Sequence, residues 1–239
     1  MVRYISLLLF IGLTWGQNPC EDPRYLDIKK KSLDEMSDRE YEYFMMKEKE
    51  CMSYSSNPIT EGEIALTDTV CISTKFGDIK IELYPNVAPM HVENFLTHIK
   101  NGYYDGTIFH RVIPGFMIQG GDPNTKDKLD KGKYGSGGRA AKYFGIGDKN
   151  SNSTWTVPAE FSDMQHTRGI LSMARGNSPS SAGSQFYICV ADAPHLNGQY
   201  SVFGKVIDGL NVVDETVNLR RDKRDNPLDR IEMNISICQ

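Results

Sequence analysis

The sequence predicts a mainly β protein, a closed antiparallel barrel preceded by a short helical extension. Three observations carry that expectation. Apolar and polar residues alternate in short runs, as in Ile79-Lys80-Ile81-Glu82-Leu83 and across residues 231–237, where every second residue is apolar. Turn-forming residues separate the runs, with Phe76-Gly77-Asp78 between the first two. Helical spacing is rare in this region. Its clear instance opens at Pro89, continues through Val92, Phe95, Leu96 and Ile99, and stops at Asn101-Gly102.

Taken in order, the chain of 239 residues begins with Arg3 and a mostly apolar run from Tyr4 to Trp15. About a dozen residues cannot cross a hydrocarbon core of roughly 30 Å, but they match the apolar stretch of a signal peptide. Thr14 and Gly16 supply small side chains if cleavage falls before Gln17. Residues 1–16 are therefore expected to be a signal peptide. The mature protein is expected in the secretory pathway or outside the cell (endoplasmic reticulum lumen, extracellular space or periplasm), without stable membrane insertion. The final Ile237-Cys238-Gln239 is no reticulum-retention signal.

Residues 17–66 form a charged extension. Ser37-Asp38-Arg39-Glu40 reads as a capping box, and Tyr41, Phe44 and Met45 then share one helical face. Residues 53–63, with Pro58 and Gly62, read as a linker. From about Thr67 the texture turns to β, and residues 67–239 read as one domain. Strand-like pieces fall at 70–72, 79–83, 107–112, 116–119, 169–174, 185–190, 202–206 and 231–237.

Charge and composition exclude several functions. A net charge of −4 gives no reason to expect nucleic acid. Arg220-Arg221-Asp222-Lys223-Arg224-Asp225 mixes both signs and reads as a solvated loop without a binding role. The glycines of residues 127–154 have neither the P-loop spacing nor its strand–loop–helix context, so they read as a surface loop. The five cysteines, at 20, 51, 71, 189 and 238, have no zinc spacing. In an oxidising compartment disulfides become their default state. Asn152-Ser153-Thr154 and Asn234-Ile235-Ser236 match the glycosylation acceptor pattern.

Four segments carry a family resemblance. Phe109-His110-Arg111-Val112-Ile113-Pro114-Gly115-Phe116-Met117-Ile118-Gln119-Gly120-Gly121-Asp122 closely resembles the signature of the cyclophilins. Gly169-Ile170-Leu171-Ser172-Met173-Ala174-Arg175, Gly183-Ser184-Gln185-Phe186-Tyr187-Ile188 and Val202-Phe203-Gly204-Lys205-Val206 resemble three further family blocks, in the family's order. The resemblance covers residues 67–239. It implies an eight-stranded antiparallel barrel capped by two helices, with a peptidyl-prolyl cis–trans isomerase site on its outer face. The substrates it implies are proline-containing peptides and unfolded or folding proteins. It also makes the first and last strands neighbours, which would let Cys71 and Cys238 pair, leave Cys20 to Cys51, and keep Cys189 free.

The residues suit that chemistry on their own terms. Rotation about an X–Pro bond must break amide resonance, a barrier of roughly 18–20 kcal/mol. No bond is made or broken, so no nucleophile, base, metal or cofactor is needed. An apolar pocket for the pyrrolidine ring can come from Phe116, Met117, Tyr187 and Leu196. A fixed donor for the prolyl nitrogen, which gains a lone pair as it pyramidalises, can come from Arg111, whose guanidinium is always charged. Gln119 and Gln185 can hold the substrate backbone, and Ala174 and Arg175 can offer backbone contacts. His110 is expected as a wall of the site, since there is no proton to move. Alternation places Ile118 opposite Met117, in the core. Four residues depart from the familiar pattern: Tyr187 replaces a Phe, Arg175 an Asn, His195 a Trp and Tyr200 a His. The missing tryptophan implies weak binding of cyclosporin.

Overall fold

The computed structural model describes residues 22–31, 36–37, 39–40, 43–44, 46–47 and 69–238. The expected signal peptide, Cys20 and Cys51, Tyr41 and Met45, and the linker at 53–63 lie outside the described residues. The chain divides into two units, Met1–Glu63 and Ile64–Gln239.

In the first unit, helix α1 (Pro23–Ile28) is absent from the sequence-based expectation. Its signal is Asp22-Pro23. The Asp22 carboxylate accepts from the N–H groups of Arg24 (2.9 Å) and Tyr25 (3.1 Å), and Pro23 takes the first helical position, where an N–H is not needed. Half of the expected capping box is present: the Glu40 carboxylate accepts from the Ser37 N–H at 2.9 Å. The other half differs, because the Ser37 hydroxyl donates to the same carboxylate. Tyr25 stacks on Phe44 with centroids 5.8 Å apart.

The second unit is built on one antiparallel sheet. Its strands are β1 (Thr69–Thr74), β2 (Gly77–Leu83), β3 (Thr107–Ile108), β4 (Arg111–Ile113), β5 (Met117–Gly120), β6 (Ile170–Met173), β7 (Phe186–Cys189), β8 (Val202–Asp208) and β9 (Glu232–Ile237). Helices α2 (Pro89–Lys100) and α3 (Leu210–Val217) complete it. The nine strands run in the linear order β3-β9-β1-β2-β8-β6-β7-β5-β4.

The difference from eight closed strands has one cause. The segment expected as a single strand at 107–112 is divided: β3 pairs with β9 at one edge of the sheet and β4 with β5 at the other. The ladder is therefore open, with β3 and β4 as its edges and only Phe109 and His110 between them. Three peptide steps from Ile108 to Arg111 span at most about 11 Å. The sheet must curl until its edges nearly meet, joined by chain and not by a ladder.

Alternation puts the core inside this curl. Val70, Ile72, Ile79, Ile81 and Leu83 of the β1–β2 hairpin are at most 2% exposed. Phe95 of α2 sits at the centre, edge-on to Phe186 and Phe203 at 5.3 Å each and tilted on Tyr104 at 5.2 Å. On β9, Met233 and Ile235 are buried as expected. Ile237 faces Val70 across the ladder yet is 46% exposed, because it lies at the strand's end. Cys71 and Cys238 are disulfide-bonded with Cα atoms 5.3 Å apart. Cys71 pairs with Ser236 in the ladder, so the bridge runs diagonally to the residue two further on. Cys189 is free and buried.

Two buried histidines couple this fold to acidity. His98 of α2 shares a hydrogen bond with the Arg139 carbonyl at 2.9 Å, and His110 is 3% exposed in the link between the sheet edges. Burial lowers each to about 4. An unfolded chain takes up these protons near pH 6.5, the folded one only near 4. Stability present above pH 6.5 is thus lost as pH falls toward 4, by about 3 kcal/mol per histidine at most. Urea unfolding at pH 7, 5.5 and 4 should show this slope, and His98→Gln should reduce it. A wild-type free energy constant across that range would contradict the assignment.

Candidate active site

The pleat of β5 is the base of the site. Ile118 points into the main core with 0% exposure. Met117, one residue earlier, points to the opposite face and packs with Tyr187, Cys189, Ala193 and Leu196 in a separate small cluster. Ile113, Phe116, Ala174 and Tyr200 cover its rim. Register places the neighbours: Gln119 pairs with Arg111 on β4 and with Tyr187 on β7. Residues from five chain segments thereby share one patch of outer surface.

A cavity of about 170 Å³ opens there, lined by Arg111, Phe116, Met117, Gln119, Ala174, Arg175, Tyr187, Leu196 and Tyr200. Phe116, Met117, Ala174 and Leu196 supply apolar lining, and Arg111, Gln119 and Arg175 supply polar lining. The guanidinium of Arg111 donates through Nη1 to Gln119 Oε1 at 3.5 Å, and its Nε lies 3.9 Å from the Asp225 carboxylate. Gln119 Nε2 donates onward to Gln185 Oε1 at 2.9 Å. Gln185 Nε2 in turn donates to the carbonyls of Gly135 (3.1 Å) and Gly137 (2.7 Å).

That loop is itself held from behind. Asp122 is fully buried, and its carboxylate accepts from the N–H groups of Asn124 (2.8 Å), Gly135 (2.5 Å) and Gly137 (3.2 Å). Position 137 must be glycine here, since a Cβ would collide with the Asp122 carboxylate. An unbroken chain of hydrogen bonds thus runs from a buried carboxylate to the Arg111 guanidinium.

Three expected site residues do not line the cavity. His110 is buried, and neither ring nitrogen has a hydrogen-bond partner among the described residues. Gln185 acts on the cavity through Gln119. His195 stands exposed beside it, its ring 5.5 Å from that of Phe116. Arg175 lines it, but its side chain is tied down. The guanidinium lies 4.5 Å over the Tyr200 ring and donates to the carbonyls of Gln199 (3.1 Å) and Gly176 (2.9 Å). Tyr187 stacks on His166, with its hydroxyl buried and without a hydrogen-bond partner among the described residues, and burial raises its pKa strongly.

Sequence reading missed Asp122 and Asp225 as parts of this arrangement. The mixed-charge run containing Asp225 is a solvated loop, exposed at residues 220–224, and within it a hydrogen-bonded turn forms. Asp222 Oδ1 accepts from the N–H groups of Arg224 (2.8 Å) and Asn226 (3.0 Å). Arg224 reaches the carbonyls of Lys131 and Gly132, both at 3.4 Å. Asp222 and the Asp225-Asn226-Pro227 sequence were the available signals, as residues that favour side-chain-capped turns.

A family model described as cyclophilin type peptidyl-prolyl cis-trans isomerase matches residues 69–237. A peptidyl-prolyl cis-trans isomerase of Arabidopsis thaliana is 43% identical over 166 residues, 70% of this chain and 92% of that protein. A probable isomerase of Brucella suis is 43% identical over 151 residues, 62% of this chain and 70% of its own. A crystal structure of a Cryptosporidium parvum cyclophilin type isomerase, obtained in the presence of the dipeptide Ala-Pro, is 36% identical with a TM-score of 0.61. The match covers 72% of this chain and 99% of that one.

Proposed function

The chain belongs to the cyclophilin-type peptidyl-prolyl cis–trans isomerases and is itself such an isomerase, and from that premise we propose that it turns X–Pro bonds in client proteins of the secretory pathway. The observation that carries the mechanism is that the Arg111 guanidinium lines the same cavity as Phe116, Met117 and Leu196.

The pyrrolidine ring enters against Phe116, Met117 and Leu196. Displacing water there disfavours the planar resonance form, which is the more polar one. Nε and Nη1 of Arg111 face Asp225 and Gln119, and Nη2 has no protein partner among the described residues. That nitrogen donates to the prolyl nitrogen as it pyramidalises. The bond is stronger in the twisted state than in the planar one, and such differential binding lowers the barrier. The Ala-Pro dipeptide used with the Cryptosporidium parvum relative supports proline-containing peptides as substrates here also.

Arg111→Ala should lower the isomerisation rate at least a hundredfold, about 2.7 kcal/mol at the transition state. The melting temperature should change little, since the side chain is 44% exposed. A protease-coupled assay on an X–Pro peptide measures the first. Near wild-type turnover in a folded variant would remove Arg111 from the mechanism.

The secretory reading rests on the apolar run from Tyr4 to Trp15 and on the Cys71–Cys238 bridge, which belongs in an oxidising compartment. Protein recovered from the medium of a secreting host should begin at Gln17 and keep that bridge. Mass spectrometry without reductant checks both, and an intact residue 1 or free Cys71 would count against it.

Cyclosporin should inhibit weakly. His195 offers a smaller ring beside Phe116 than the tryptophan of sensitive relatives, losing a hydrogen bond and an aromatic contact worth roughly 1–3 kcal/mol together. His195→Trp should tighten inhibition roughly tenfold to a hundredfold. Unchanged inhibition would show that this rim position does not control the drug.

A further inference from the structure

Asp225 is the one non-glycine residue with a positive φ among the described residues, at 62°. An L-residue is strained there, and Asp and Asn tolerate it best. The conformation is held from both sides. The Asp225 N–H donates to the Asp222 carbonyl at 3.1 Å, and the Asp225 carbonyl accepts from the Val112 N–H at 2.9 Å. Val112 follows Arg111 directly, so the bond ties this turn to the strand that carries the guanidinium.

The carboxylate then lies between two arginines, 3.9 Å from Arg111 Nε and 3.3 Å from Arg221 Nε. All three side chains are more than a third exposed or close to it, at 44%, 35% and 38%. Such pairs contribute little to stability. The backbone bonds hold the turn, and the weak ion pairs add little to that, so they do not account for a carboxylate side chain at this position.

We propose that Asp225 is a positioning residue for the isomerase reaction, acting through Arg111. A guanidinium is planar, so directing Nε toward Asp225 and Nη1 toward Gln119 sets the direction of Nη2. Nη2 is the donor that must meet the prolyl nitrogen. Misplacing a reacting group by about 1 Å can cost a hundredfold in rate. Gln119 alone leaves the guanidinium free to swing about a single long contact; Asp225 supplies the second point. The inference rests on Arg111 being the donor, and the experiment separates the two.

Asp225→Asn and Asp225→Gly both keep the left-handed backbone. The first removes the charge and the second the whole side chain. Each should lower turnover about threefold to tenfold, in kcat and not in KM, with the melting temperature preserved. In an Arg111→Ala background the same substitutions should cost nothing further. Exchange spectroscopy on an X–Pro peptide gives these rates above the uncatalysed background. Wild-type kcat in both variants would overturn the proposal. So would an equal loss in the Arg111→Ala background, or a loss that follows the melting temperature. If Arg111→Ala itself retains turnover, the donor assignment fails first, and that result is read independently of Asp225.

Discussion

One extended strand separates the two halves of this enzyme. Successive side chains of β5 must leave opposite faces of the sheet, so Ile118 enters the core while Met117 and Gln119 leave it. A shift of a single residue would send Met117 inward and Ile118 into the cavity. The catalytic surface therefore depends on the same register that packs the aromatic core around Phe95. Folding and site construction are one event here.

Around that strand the polar half of the site is held by a chain of hydrogen bonds, not by packing. Asp122 fixes the loop at Gly135 and Gly137, the loop carbonyls fix Gln185, Gln185 fixes Gln119, and Gln119 fixes one edge of Arg111. The chain starts in a buried carboxylate and ends at a half-exposed cation. Its members are oriented before substrate arrives, and a donor already in place loses little to reorganisation during rotation. Isomerisation needs no proton transfer, which agrees with burial holding His110 neutral near pH 7.

The rim is held in a different way. Tyr200, Arg175 and Tyr187 form a layered group, with Arg175 over Tyr200 and Tyr200 edge-on to Tyr187 at 5.8 Å. These are three of the four positions where the chain differs from the familiar family pattern. They change one another's surroundings, so the shape of this wall belongs to the set and not to any one residue. Met117 and Leu196 share one apolar cluster with Tyr187, and Tyr200 packs against it, so the floor adjoins that change.

Much of the fold was legible from local pattern, because burial on one face imposes period two on strands and period 3.6 on helices. Alternation located the strands, and Pro89 with Val92, Phe95, Leu96 and Ile99 located α2. Nine of the expected site residues share the cavity because contiguous motifs on paired strands bring their outward positions together. The splitting of residues 107–113 was not legible. Its two parts have the same local texture, and only their separate partners, β9 and β5, divide them. The places of Asp122 and Asp225 were likewise decided by tertiary structure. One carboxylate becomes a buried anchor and the other a neighbour of Arg111 through contacts that span 15 residues in one case and 114 in the other, by the difference of residue numbers 137 − 122 and 225 − 111. Local sequence governs backbone conformation and facing. Which charges meet is set by how the sheet curls, and no short window of sequence contains that distance.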